Sequence, residues 1–148
     1  MNSIREDIVF ISSGGGHFKQ LQIVYEMLKP IIKKNKISYT FISTKNNKLV
    51  NANITSINNG LLNKILNIIE SFMFAYKLSP ILIISTGSGD VLAFLVFSKL
   101  LGSEILFIDS IHNINKLSKT GSILNKLKLC KIIHQHDNNY WEYWGKLI

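Results

Sequence analysis

"DIVFISSGGGHFKQL", residues 7–21, runs from an unbroken apolar stretch into three glycines and a histidine, and then into a segment with helical spacing. Residues 7–12 read as a buried strand, because a parallel strand covered by helices on both faces shows no polar alternation. From position 17 onward Leu21, Val24, Tyr25 and Leu28 recur at helical spacing, with Pro30 near the expected end. A glycine turn between such a strand and a helix lets the backbone approach a ligand closely. The helix start behind it offers N–H groups that have no partner inside the helix.

The same grammar repeats along the chain. "ISYTFIST" (37–44) is β-rich, "KNNKLVNAN" (45–53) is a polar loop, and "ITSI" (54–57) reads as a short third strand. Residues 61–78 form an apolar helix. "ILIIS" (81–85) is a buried strand followed by a second glycine turn, "TGSGD" (86–90), and a helix from about Val91. "EILFID" (104–109) is a strand, "SKTGSILNKLKL" (118–129) a short helix and "KIIHQ" (131–135) a last strand, before the aromatic tail "HDNNYWEYWGKLI" (136–148). Strands separated by helices imply an α/β fold, a Rossmann-like doubly wound parallel sheet, as one domain over residues 1–148. Both glycine turns then lie at the carboxyl ends of strands. In the common winding order those strands, the first and the fourth, are neighbours at the point where winding reverses, which is where such sheets bind ligands.

Composition narrows the partners. Hydrophobic residues make up 47% and charged residues 18% of 148, enough for one core and low in charge for a fully wetted surface, so a partner or a bilayer is expected to cover part of it. The formal charge of +8 favours anionic partners, but Arg5 is the only arginine and the lysines are scattered. That argues against nucleic acid, whose readers rely on arginine forks and basic stripes. The single cysteine, Cys130, excludes an internal disulfide and reads as a small buried hydrophobe. No signal peptide is visible, and the longest apolar run, "VLAFLVFSKLLG" (91–102), falls short of the ~20 residues a spanning helix needs. The expectation is a cytoplasmic protein whose membrane contact is peripheral.

Known glycine motifs do not fit. The dinucleotide fingerprint would need glycine at Lys19 and an acidic residue where Thr44 and Lys45 stand, and the P-loop lysine pattern is absent. A small NADP-binding oxidoreductase is therefore a minor alternative. His17, at a helix start facing the crevice, can donate to a phosphate or accept a hydroxyl proton, or it can simply cap or pack. In the second turn Thr86, Gly87, Ser88 and Gly89 offer hydroxyls and N–H groups, while Asp90 suits a helix cap. Asp109 closes a parallel strand and can orient a hydroxyl, act as a base, or cap the segment after it. "HQH" (134–136) lacks a third ligand, so no metal site is expected. The helix over 61–78 is a core helix, a helix sandwiched in a dimer, or a patch lying on a membrane with Lys64 and Lys77 near headgroups. The tail aromatics Tyr140, Trp141, Tyr143 and Trp144 close the core or anchor a partner.

Taken in order, "SSGGGHFKQL", "STGSGDVLAFLVFSKLLG" and "FIDSIHNINKLSKTGSIL" resemble the PssD/CpsF-type polysaccharide biosynthesis proteins, bacterial relatives of the membrane-recruiting Alg-fourteen subunit of N-glycan assembly. The resemblance runs nearly end to end and closes on "YWGKLI" (143–148). It implies a domain equivalent to the N-terminal half of a two-domain GT-B glycosyltransferase, working as one subunit of a UDP-sugar-dependent hexosyltransferase and inactive alone. The separate catalytic subunit would carry most of the nucleotide-sugar site, with the UDP-sugar at the shared cleft. This chain would bind a polyprenyl-diphosphate-linked acceptor and hold the complex on the inner face of the plasma membrane, in capsule or exopolysaccharide synthesis. His17 and Asp109 become the candidate bases for the acceptor hydroxyl. Ser13, Gly14, Gly15, Gly16, Thr86, Gly87, Ser88, Gly89, Ser110 and Ser118 become the acceptor and phosphate contacts, with no cofactor or metal. The family usually has Glu at the position of Asp109 and often Arg at that of Asn113. A second implied reading is a non-catalytic scaffold that recruits and stabilises a transferase.

Overall fold

The structure, a computed structural model, describes residues 6–110, 116–134 and 142–143. Strand β1 (Ile8–Ser12) leads into helix α1 (Gly16–Asn35), then β2 (Tyr39–Ser43) and the two-residue β3 (Ala52–Asn53). A short 3-10 turn (Ile57–Asn59) precedes α2 (Leu61–Leu78) and β4 (Leu82–Ser85), and a second one (Gly89–Val91) precedes α3 (Leu92–Leu100). The chain continues through β5 (Glu104–Ile108), α4 (Lys119–Lys126), β6 (Lys131–His134) and β7 (Glu142–Tyr143). The strands form one sheet in the order β3-β2-β1-β4-β5-β6-β7, and every pairing is parallel. This is the doubly wound, Rossmann-like arrangement expected, with β1 and β4 adjacent where the winding reverses.

The pleat sends alternate residues to opposite faces. Phe10, Phe41 and Ile84 meet Phe18, Leu21, Val24 and Tyr25 of α1 on one face. Val9, Ile11, Ile83 and Phe107 meet Ala75 of α2, Phe94 and Leu95 of α3 and Leu124 of α4 on the other. Strands buried on both sides explain why "DIVFIS" and "ILIIS" are continuous apolar runs.

Several element boundaries differ from the sequence reading; the helix expected over 118–129, for one, is α4 at Lys119–Lys126. Helix α1 continues through Pro30 to Asn35. The proline is exposed, and Ile32 beyond it is buried, so core packing outweighs the lost hydrogen bond. Lys36 then ends the helix in the left-handed conformation. The third strand lies at Ala52–Asn53 rather than 54–57, because the Asn51 side chain accepts the Phe41 N–H and its own N–H bonds the Phe41 carbonyl, starting the ladder early. Val91 closes the 3-10 turn and α3 starts one residue later. Residues 135–141 and 144–148, with most of the aromatic tail, lie outside the described residues, as do His112 and Asn113. The tail does contribute β7 beside β6. Cys130 is half-buried, and burial pushes its thiol up to about 11 against a smaller opposing pull from Lys99. No helix among the described residues is long and apolar enough to cross a membrane.

Candidate functional site

Strands β1, β2 and β4 all end in a fully buried serine, and the register sets these ends side by side: Ser12 pairs with Ser43, and Ile11 with Ser85. Short hydroxyl side chains let the following turns lie close over the sheet edge. The Ser43 Oγ accepts the Lys45 N–H at 3.4 Å and the Ser85 Oγ accepts the Gly87 N–H at 3.3 Å. In the first turn Ser13 is buried and the Gly14 N–H donates to Thr44 Oγ1 at 3.1 Å. The aliphatic stem of Lys45 lies over Gly14, where a Cβ would come within 2.6 Å of the Lys45 Cδ. Gly15 takes φ +75° and caps α1 without any side-chain hydrogen bond, and the first helical turn holds no acidic residue. The N-terminal end of α1, with Gly15 and Gly16 exposed, therefore presents uncapped N–H groups and a positive dipole end at the carboxyl edge of the sheet.

The second turn clasps the first. His17 Nδ1 donates to the Thr86 carbonyl at 2.8 Å, and Thr86 Oγ1 donates to the His17 carbonyl at 2.6 Å. A carbonyl oxygen can only accept, so the hydrogen sits on Nδ1 and the neutral ring keeps its lone pair on Nε2. That tautomer suits a proton acceptor. Gly87, at φ +104°, has no room for a larger residue: a Cβ would lie 3.3 Å from Phe107 Cζ and 3.7 Å from the His17 ring. Ser88 adopts φ 100° although it is not glycine, a strained conformation of the kind that clusters at binding and catalytic turns. Its Oγ accepts the Asp90 N–H at 3.3 Å.

Asp109 is 1% exposed, and its carboxylate accepts the Ser110 N–H at 2.9 Å and the Ser118 N–H at 2.8 Å. Ser118 in turn caps α4, its Oγ accepting the Gly121 N–H at 3.0 Å. Asp109 thus fastens the end of β5 to the start of α4, the capping alternative among those open from sequence. Of the two candidate bases, His17 lies between the two glycine turns with Nε2 as its acceptor, while Asp109 lies at the end of β5 with its carboxylate accepting the Ser110 and Ser118 N–H groups. Ser13, Gly14, Gly15, Gly16 and His17 share one turn with Thr86 to Gly89 bonded against them, while Ser110 and Ser118 belong to the separate network around Asp109.

Sequence reading overlooked Asn67 and undervalued Asp90. Asn67, buried on α2, donates from Nδ2 to the Thr55 carbonyl at 2.6 Å and to the Asp90 carbonyl at 2.9 Å. Asp90 Oδ1 accepts the Ile57 N–H at 2.8 Å and the Ser56 hydroxyl at 3.1 Å, so this carboxylate ties residues 56–57 to the second glycine turn. Asn67, inside the strongly apolar run from Ile65 to Ile69, was the available signal. Among the described residues no three His, Cys, Asp or Glu side chains are grouped to hold a metal.

A parallel sheet in this order, with two glycine turns bonded together at its switch point, defines a Rossmann-like domain. The fold is that of a Rossmann-like domain of the GT-B glycosyltransferases: the crystal structure of Acinetobacter baumannii MurG superposes with a TM-score of 0.68 over 96% of this chain at 11% identity. The chain spans 45% of that MurG chain, less than half its length. No protein-family model and no curated protein sequence matches the chain.

Proposed function

We propose that this chain is the acceptor-binding subunit of a two-component GT-B glycosyltransferase. The observation that carries this reading is the match of nearly the whole chain to less than half of a GT-B enzyme. A second Rossmann-like subunit would close over that edge and bring most of the UDP-sugar site. The resemblance of the glycine turns and the 107–124 segment to PssD/CpsF-type proteins supports a polyprenyl-diphosphate-linked acceptor and a role in capsule or exopolysaccharide assembly, at the inner face of the plasma membrane.

In this reading the uncapped start of α1, with Ser13 to Gly16, holds the acceptor's diphosphate through N–H groups. His17 accepts the proton of the attacking sugar hydroxyl at Nε2 as the glycosidic bond forms and UDP departs, general-base work in which Thr86 fixes the ring. Asp109 shapes the far side of the crevice by holding Ser110 and Ser118.

The test is co-expression with the candidate catalytic half, followed by transfer from UDP-sugars to a membrane lipid extract, with each protein alone as control. Activity only from the pair is expected, and His17→Ala should lower it by ~10²–10⁴-fold without loss of the complex. Full activity from the partner alone would reduce this chain to a recruiting scaffold. Wild-type turnover by an assembled His17→Ala complex would remove the general-base role.

A further inference from the structure

Lys19 and Lys45 crowd the N-terminal end of helix α1, where positive charge is least favoured. Lys19 is exposed in the first turn, its N–H closing the first helical bond on the Gly15 carbonyl at 3.1 Å. Lys45 reaches the same place from the end of β2. Its backbone N–H is held by Ser43 Oγ, and its stem lies on Gly14, where a Cβ would meet the Cδ, Cγ and Cβ of Lys45 at 2.6, 2.7 and 3.0 Å. The Lys45 ammonium, two bonds beyond Cδ, therefore stays beside the first glycine turn. Neither lysine joins an ion pair among the described residues, and the first turn of α1 holds no acidic residue. The macrodipole is positive at this end, so each ammonium destabilises the fold on its own. Lys33 and Lys34, in the last turn, lie where the dipole favours them.

Beneath the same turn a hydroxyl has no partner. Ser12 is fully buried, and its Oγ makes no hydrogen bond. The pleat puts it on the α1 face with Phe10, and the register sets it beside Ser43, the residue that anchors Lys45. Its unused donor is thus turned into the corner between two strand ends and the start of α1. The N–H groups of Gly16, His17 and Phe18, ahead of the first helical bond, leave the helix end at that corner. Two ammonium groups, free N–H groups and a buried hydroxyl all call for the same thing, an anion.

We infer that Lys19 and Lys45 form a cationic clamp over the first glycine turn, and that the clamp selects a ligand with at least two negative charges there, a diphosphate over a monophosphate. The clamp also sets direction. Sheet order places Lys45, after β2, and the Thr86 partner of His17, after β4, on opposite sides of the turn that follows β1. An anion held between the lysines leaves the rest of the ligand to run toward His17 and the second turn. The identity of the diphosphate's carrier rests on the acceptor-binding reading; the charge selected does not.

The experiment titrates the purified chain with pyrophosphate, orthophosphate and geranyl diphosphate, followed by the amide ¹⁵N–¹H shifts of Gly15, Gly16 and His17. Pyrophosphate should bind at least ~tenfold more tightly than orthophosphate, and less tightly as salt rises. Lys19→Met and Lys45→Met should each weaken pyrophosphate ~tenfold, and Lys45→Arg should restore the wild-type value. Methionine at position 45 keeps an apolar cover on Gly14, so the loss reads charge alone. Lys19→Glu moves two readouts in opposite directions. Its carboxylate suits the helix dipole, so the melting temperature should rise while pyrophosphate affinity falls by more than ~tenfold. A merely solvated lysine would give the first change without the second.

Orthophosphate bound as tightly as pyrophosphate would overturn the clamp, as would wild-type affinity in the folded Lys19→Glu and Lys45→Met chains. Geranyl diphosphate bound at least as tightly as pyrophosphate would support a lipid-linked carrier. Its rejection by a chain that binds pyrophosphate would leave the clamp standing and sink the acceptor reading. Sugar transfer by the co-expressed pair, unchanged by Lys19→Glu and Lys45→Met, would keep the transferase reading and remove the clamp.

Discussion

Helices α1 and α2 are close in length, 20 and 18 residues, and flank the same sheet, yet they are held to it by different means. Helix α1 turns Phe18, Leu21, Val24 and Tyr25 into the core and leaves Lys19, Glu26, Lys33 and Lys34 outside. Helix α2 buries only the small or polar Asn67, Ser71 and Ala75 completely, adds Phe74 and Leu78 as partly buried core contacts, and leaves most of its other large side chains exposed. Hydrophobic transfer fastens the first; the second adds close approach of small side chains and the hydrogen bonds of Asn67 and Glu70 to the contacts of Phe74 and Leu78 with the core. An apolar residue is thus no guide to burial when the neighbouring surface offers carbonyls and small side chains. α3 presents such a surface, with Ser98 fully buried.

The comparison breaks most easily at matched positions. Leu21→Ala empties a fully buried site and should cost ~2–5 kcal/mol of unfolding free energy, while Ile69→Gln, on the exposed arc of α2, should stay within ~0.5 kcal/mol of wild type. Urea denaturation of the two variants measures this directly. Equal losses would mean that the α2 face is covered in the folded chain, and the contrast would fail.

The next largest effect belongs to the polar fastening. Asn67→Ala leaves two carbonyls, of Thr55 and Asp90, without their donor and should cost ~1–3 kcal/mol. Asn67→Leu should not recover the loss, because added apolar volume cannot supply the donors. Hydrogen exchange should rise in the 87–91 turn for both variants. An Asn67→Leu protein more stable than wild type would place α2 in the same class as α1.

How far these features were legible depends on what specifies them. Continuous apolar runs such as "ILIIS" define buried parallel strands, and glycines between them and helices locate the turns, so sheet order and site edge follow from sequence alone. The clasp does not, because His17 and Thr86 are 69 residues apart and bond mainly through main-chain carbonyls, which no side-chain motif reports. Asp109 was visible as a strand-end carboxylate, but its commitment to Ser110 and Ser118 depends on how the chain folds back. The periodicity of residues 61–78 is apolar nearly all round, so it cannot say which side faces in; Asn67, Ser71 and Ala75 decide that by size and hydrogen bonding. Pro30 misleads for the converse reason, since the buried Ile32 beyond it holds the helix together.

The two turns of the clasp contrast in the same way. Gly16→Ala meets open space within α1 and should be neutral or stabilising by up to ~1 kcal/mol, through a less flexible unfolded chain. Gly87→Ala meets both a positive φ and Phe107, and should cost ~1–2 kcal/mol. Since the added methyl also approaches the His17 ring, its imidazole ¹⁵N shifts should move in Gly87→Ala and stay put in Gly16→Ala. Unmoved shifts in both would separate the glycine from the histidine's placement.

The smallest effect tests a hydrogen bond within the aromatic packing of α1. Tyr25 Oη and Tyr39 Oη lie 2.9 Å apart, and that hydrogen bond, with burial as the lesser cause, pushes the Tyr25 phenol up to about 12. A raised phenol value means the fold favours the neutral form. The resulting stability is complete below the ordinary tyrosine value of ~10 and is lost as pH climbs from there through about 12. Tyr39→Phe removes the partner while keeping the ring packed against Phe10 and Phe41, and should cost ~1 kcal/mol near neutral pH. The gap in unfolding free energy between wild type and variant should hold steady up to pH ~9 and close above pH ~10, since ionisation destroys in the wild type what the substitution has already taken from the variant. Lysine deprotonation is common to both proteins and cancels in the difference. No gap at any pH would mean that Tyr39 acts on α1 through ring packing alone, making the contrast of this helix with α2 sharper still.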